Sequence, residues 1–206
     1  MAKVTKKVSE SHSRGRPRAF DPNAALDAAL STFWERGYEG TSLSDLTTAM
    51  GINKPSLYST FGDKAELFRK VVDRYISRQR VVWEQAFKEP TARLAVERIL
   101  NTIADSLTSG QNAHGCLLVQ SALTCSQESD CIKKELALKR ADSDSLLRDR
   151  FARAQADGEL WPDVDVAALA RYFSTVLRGM SVEASAGATR RDLQNVIDLA
   201  MKAWPS

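Results

Sequence analysis

His114 and Cys116, two residues apart, are the pair that comes nearest to a metal site or a base-and-nucleophile couple. Neither chemistry finds the further residues it needs. A zinc-type site wants three or four ligands, and no third ligand lies near this pair. The other histidine, His12, stands in the N-terminal tail. The chain has no Gly-rich phosphate loop and no nucleophile elbow. No enzyme, no metal and no cofactor is therefore expected. Cys116 precedes Leu117-Leu118-Val119 and reads first as a small apolar residue of a helix. Its reactive reading is a thiol that meets oxidants or electrophiles, which needs a favourable local environment. Cys125 and Cys131 flank a turn between two helices and read as free thiols. Three cysteines in a chain of this length build no disulfide scaffold, so a reducing cytoplasm is the expected location.

The remaining candidate chemistry is recognition. Residues 41–62 read Thr-Ser-Leu-Ser-Asp-Leu-Thr-Thr-Ala-Met-Gly-Ile-Asn-Lys-Pro-Ser-Leu-Tyr-Ser-Thr-Phe-Gly. Two short helices joined by a turn at Gly51 have the helix-turn-helix layout. Gly51 permits the positive φ of a tight turn. Ala49 is small enough for the helices to approach, and Ile52, Leu57 and Phe61 hold the second helix on the core. Lys54, Pro55, Ser56, Tyr58, Ser59 and Thr60 are left outside. Short polar groups, an aromatic ring and a lysine near a helix N-terminus suit a DNA major groove and its phosphates. A plain helical hairpin with a solvated face is the competing reading.

The charge distribution adds to this. The net charge is +3, but the first twenty residues hold six basic side chains and one acidic one. That is +5 in the tail and −2 over the remaining 186 residues. Within it, Arg14-Gly15-Arg16-Pro17-Arg18 resembles an AT-hook core. Gly and Pro favour an extended backbone, and arginines seek the negative potential of a narrow minor groove. Residues 1–19 show no periodicity and read as a flexible basic arm.

These groups must be carried by a scaffold. The chain has 206 residues, 43% hydrophobic and 27% charged, enough for a real core. No apolar run is long enough to span a membrane, and no apolar segment follows the N-terminus as a secretory signal would require. From Asp21 onward the period is helical. Asp21-Pro22 opens the first helix and Gly37 stops it. Thr41-Ser42, Asn53 and Asp63 start the next three. Pro90-Thr91 opens a fifth, ended near Gly110. Apolar Cys116–Leu123 reads as helix, followed by long stretches from about Glu128 to Ala156, Asp163 to Ala186, and Asp192 to Trp204. No period-two alternation between hairpin turns is present, so the fold is expected to be all-α with about nine helices.

Thr41-Ser42 with Leu43, Asp45-Leu46, Gly51-Ile52, Leu57-Tyr58, Phe61, and Lys64 with Glu66-Leu67 resembles the DNA-binding domain of the TetR family of bacterial repressors. Phe33-Trp34, Gly37-Tyr38 and Gly40 fit the same pattern, and the resemblance covers about residues 16–76. It implies an N-terminal three-helix domain over residues 20–76 and a helical regulatory and dimerisation domain over 77–206. It implies a homodimer on a double-stranded DNA operator, released by a small apolar or amphipathic effector. Thr41, Ser42, Tyr58 and Lys64 would meet phosphates, and Lys54 to Ser59 would form the recognition helix. The chain departs from the family at Ser59-Thr60, where a histidine pair is common, and at Pro55, where a small residue is usual. Both differences bear on which bases are read.

In the regulatory part, Cys116, Phe151 and Tyr172 are candidate cavity residues by helical position and character. Val176, Gly179 and Met180 with Leu193, Val196, Ile197 and Ala200 are the candidate dimer surface. An alternative switch is oxidation or alkylation of Cys116 in place of a reversible ligand.

Overall fold

A computed structural model describes residues 20–109, 115–124 and 130–205, with the side chains of residues 123 and 124 left aside. Arg14, Arg16, Arg18, His12, His114 and Cys125 lie outside the described residues. The described chain is helical throughout: α1 (Pro22–Arg36), α2 (Leu43–Met50), α3 (Lys54–Phe61), α4 (Lys64–Ala86), α5 (Ala92–Thr108), α6 (Leu117–Thr124), α7 (Asp130–Ala156), α8 (Val166–Ser185) and α9 (Arg190–Lys202). No described helix is long and apolar enough to cross a membrane.

Local side chains set these boundaries. Asp21 accepts from the Asn23 N–H at 2.8 Å, and Pro22 occupies a first-turn position that needs no donor. Ser42 and Asp45 form a reciprocal capping box, as do Asp63 and Glu66. Asn53 accepts from the Ser56 N–H at 2.9 Å. Two starts differ from the sequence expectation. The helix placed from Asp163 begins at Val166, because Asp165 accepts from the N–H groups of Ala167 and Ala168. The helix placed from Asp192 begins at Arg190, because Thr189 caps it and Asp192 is the third residue of a capping box.

Two cores hold the helices. The first takes Ala29, Leu30 and Phe33 of α1, Leu46 of α2, Leu57 and Phe61 of α3, and Leu67, Phe68, Val71 and Tyr75 of α4. Leu117 and Leu118 of α6 and Ile132 and Leu136 of α7 complete it. The second joins the end of α4 to α5, α7, α8 and α9. The division expected at residue 76 therefore falls inside α4, and α6 with the start of α7 packs onto the N-terminal core. α6 packs against α1 and α4, the helices that carry α2 and α3. On the outside, Arg74 clamps α4 to α1 by two bonds to the Asp27 carboxylate, each 2.7 Å. That pairing holds the Asp27 pKa below its ordinary value.

Candidate DNA-reading surface and effector cavity

The turn between α2 and α3 is made at Gly51, whose φ of 65° and ψ of 29° lie in the left-handed region. Its N–H closes α2 on the Thr47 and Thr48 carbonyls. From there α3 buries Leu57 and Phe61 and leaves Lys54, Pro55, Tyr58 and Ser59 exposed, with Ser56 and Thr60 half-buried. Tyr58 is 50% exposed. Both ends of α3 are fixed. Asn53 caps its start, and the Lys70 ammonium donates to the Phe61 carbonyl at 2.9 Å, where a cation also suits the helix dipole. The result is a rigid polar face on a small helix, the form in which side chains can reach base edges.

Other expected contacts stand differently. Thr41 is fully buried and its Oγ1 donates to the Gly37 carbonyl at 2.7 Å, so it cannot meet a phosphate; its hydroxyl anchors the α1–α2 connection. Ser42 is exposed, with its hydroxyl 2.6 Å from Asp45 Oδ2 in the capping box. Arg36 pairs with the other oxygen of Asp45 at 2.6 Å. The Ser42 hydrogen bonds and then Arg36 hold the Asp45 carboxyl below its ordinary pKa. Ala49, expected inward, is exposed, and the α2 core contact falls to Leu46 and Met50. Lys64 begins α4 with its ammonium 4.5 Å from the centre of the Tyr38 ring, a cation–π arrangement. Burial lowers the Lys64 pKa.

The second feature is a cavity of about 490 Å³ between the two cores. Its apolar walls come from Trp34 of α1, Tyr75 and Trp83 of α4, Ile103 and Leu107 of α5, and Leu177 of α8. Cys116 lies on its wall as expected. Phe151 does not: it is fully buried in the second core, edge-on to the Phe173 and Trp204 rings. Tyr172 also lies away from the cavity, on the exposed side of α8, because the α8 residues that line it are Ser174, Leu177, Arg178 and Ser181.

Two further cavity residues, Trp34 and Tyr75, carry no local sequence signal of that role. The Trp34 indole donates to the Gly115 carbonyl at 2.9 Å, and its ring meets that of Tyr75 edge-on, centroids 5.3 Å apart. The Tyr75 hydroxyl donates to Cys116 Sγ at 3.3 Å. Burial, with Cys116 adding to it, pushes the Tyr75 pKa well up, so the phenol keeps its proton and remains a donor. The Cys116 N–H donates to Ser181 Oγ. Gly115 has φ +74°, and a Cβ there would come within 2.7 Å of the Ser181 carbonyl, so only glycine allows this approach to α8. One short segment, Gly115-Cys116, thus ties α1, α4 and α8 together at the cavity wall.

The candidate dimer surface divides into two sets. Met180, Leu193, Ile197 and Ala200 are buried in the subunit's own second core and cannot face a partner. Gly179 and Val196 are exposed and Val176 is half-buried. Exposed Tyr172, Val182 and Leu199 extend this outward set. The amphipathic period of α8 and α9 put both rows in the sequence reading; packing assigns them to opposite faces.

Residues 25–71 match the family model "Bacterial regulatory proteins, tetR family", and residues 90–200 match "Tetracyclin repressor-like, C-terminal domain". The chain is 38% identical over 195 residues to the HTH-type transcriptional repressor ComR of Escherichia coli (strain K12), covering 94% of this chain and 93% of ComR. It is 29% identical to the HTH-type transcriptional repressor BdcR of the same organism, over 89% of this chain and 88% of BdcR. Among solved structures it resembles a cysteine mutant of the regulator CifR complexed with 26bp double-strand operator DNA. That likeness has a TM-score of 0.89, 41% identity, and covers 92% of this chain and all of the other.

Proposed function

Since this chain belongs to the TetR family of bacterial regulatory proteins, DNA-binding regulators and not enzymes, we propose that it is a cytoplasmic homodimeric repressor released from a palindromic operator by a small molecule. The observation that carries the release step is the cavity itself. It lies between the two cores and is walled by Trp34 and Tyr75, which belong to the helices that support α2 and α3. An occupant that fits only one arrangement of these helices shifts the dimer between a DNA-competent state and another, by as much as its affinities for the two differ. α3 enters the major groove, with Lys54, Pro55, Ser56 and Ser59 at base edges and Tyr58, Ser42 and Lys64 toward phosphates. Arg14, Arg16 and Arg18 add minor-groove or phosphate contact.

A second reading rests on Cys116, which lines the same cavity and whose sulfur accepts a hydrogen bond from the Tyr75 hydroxyl. Here the thiol adds to an electrophile, forming a sulfur–carbon bond as the ring or double bond opens and its proton passes to the freed oxygen or carbon, or peroxide oxidises it to sulfenic acid with release of water. Operator binding by fluorescence anisotropy, with and without added compounds, separates the two. Under the first reading Cys116→Ser binds operator normally and still lets go of it when the compound is added. Under the second it binds normally and no longer responds. A protein whose DNA binding no small molecule alters, across a broad panel, contradicts both.

A further inference from the structure

Most of the cationic side chains on the cavity wall already have a carboxylate. Arg178 pairs with Asp144, one contact being 2.6 Å. Lys139 pairs with Asp73 at 2.9 Å, and Arg80 with Glu84 at 2.9 Å. Arg140 is the exception among the described residues. It is half-buried, and its guanidinium donates through Nη1 to the Leu118 carbonyl at 3.0 Å, with no carboxylate at ion-pair distance. Asp144 lies in its surroundings, but that charge is taken up by Arg178; Asp142, also on the wall, is exposed. Burial, and then repulsion from Arg178, pull the Arg140 pKa down. A guanidinium carries five N–H donors, and among the described residues the Leu118 carbonyl takes one of them, on a side chain that lines the cavity. A half-buried guanidinium is only partly hydrated, so an anion that pairs with it at the cavity wall gains a charge-assisted hydrogen bond.

We propose that the effector is an amphipathic anion, its carboxylate or sulfonate head on Arg140 and its apolar body along the Trp34–Tyr75–Trp83 wall. This rests on the reading of the cavity as the effector site and names the chemistry it selects. The fork geometry of a guanidinium matches a planar carboxylate or a sulfonate face. A cavity of about 490 Å³ holds an aromatic body of two or three rings or a medium alkyl chain. Ser174 and Ser181 also line the cavity and carry hydroxyls besides the Arg140 guanidinium.

The test uses two fluorescent probes with the same body, anionic anilinonaphthalene sulfonate and neutral phenylnaphthylamine, titrated into the full chain. The wild type is expected to bind the anion about tenfold more tightly than the neutral probe. Arg140→Leu should remove that preference while keeping neutral-probe affinity, which also reports that the variant is folded. Arg140→Lys should restore part of it. Leu177→Trp, which fills the cavity from α8, should abolish binding of both. Loss of both probes in Leu177→Trp together with no selective loss in Arg140→Leu leaves the cavity as the site and overturns the anion proposal. Undiminished binding of both probes in Leu177→Trp removes the cavity reading, and the proposal falls with it.

Discussion

Leu199→Glu is expected to convert the dimer to monomers and to weaken operator binding by about a hundredfold or more, since both recognition helices must be held at one spacing to gain from a palindrome. Leu199 is 64% exposed on α9, and Val196 of the same helix and Tyr172 and Val182 of α8 are exposed as well. Large apolar groups exposed on two helices that pack together point to an interaction surface. A two-fold axis through that surface would bring each glutamate of the variant into an apolar contact twice over. Subunit stability should barely change, because exposed positions of this kind are usually within about 0.5 kcal/mol of neutral. Light scattering gives the mass, thermal unfolding the stability, and anisotropy the affinity. A folded variant that is still dimeric with unchanged affinity would place the dimer elsewhere.

Phe151→Ala should do the opposite, costing about 3–5 kcal/mol of folding stability while leaving cavity binding intact. Phe151 is fully buried where α7, α8 and the end of α9 meet. Its ring lies 6.2 Å from Phe173 and 5.4 Å from Trp204, centre to centre. Those three rings cross-link the second core, and truncating one leaves a cavity that close-packed neighbours fill only in part. The melting temperature should fall by on the order of 10 °C. Probe affinity, measured well below the melting temperature, should match wild type. Loss of probe affinity without loss of stability would return Phe151 to the ligand site.

These two residues also show where sequence legibility ends. Period 3.6 identified α8 and α9 and capping chemistry located most helix starts, because both are local properties of the chain. The exposed set on α3 was readable for the same reason: Leu57 and Phe61 fix its inward side, and the remaining positions follow. Period alone cannot say which of two apolar rows meets the subunit's core and which meets a partner, so Met180 and Val196 were grouped together. Cavity membership is less local still. Trp34 and Tyr75 are separated by 41 residues, and Cys116 by a further 41; only packing brings them to one wall. Thr41 reads as an N-terminal hydroxyl in the chain, but the Gly37 carbonyl claims it in the fold.

The central claim is that α3 reads a palindromic DNA site, and selection of binding sequences from a random duplex pool tests it most directly. The wild type should enrich two inverted half-sites whose centres lie about one helical turn, or a small multiple, apart. A Lys54→Ala/Tyr58→Ala variant, with helicity and melting temperature unchanged, should bind the selected site more weakly by roughly 1–3 kcal/mol per lost contact. Its own selection should yield a relaxed motif at the positions Lys54 had specified. Enrichment of the same motif at the same affinity by both proteins, or of no motif by the wild type, would contradict the account.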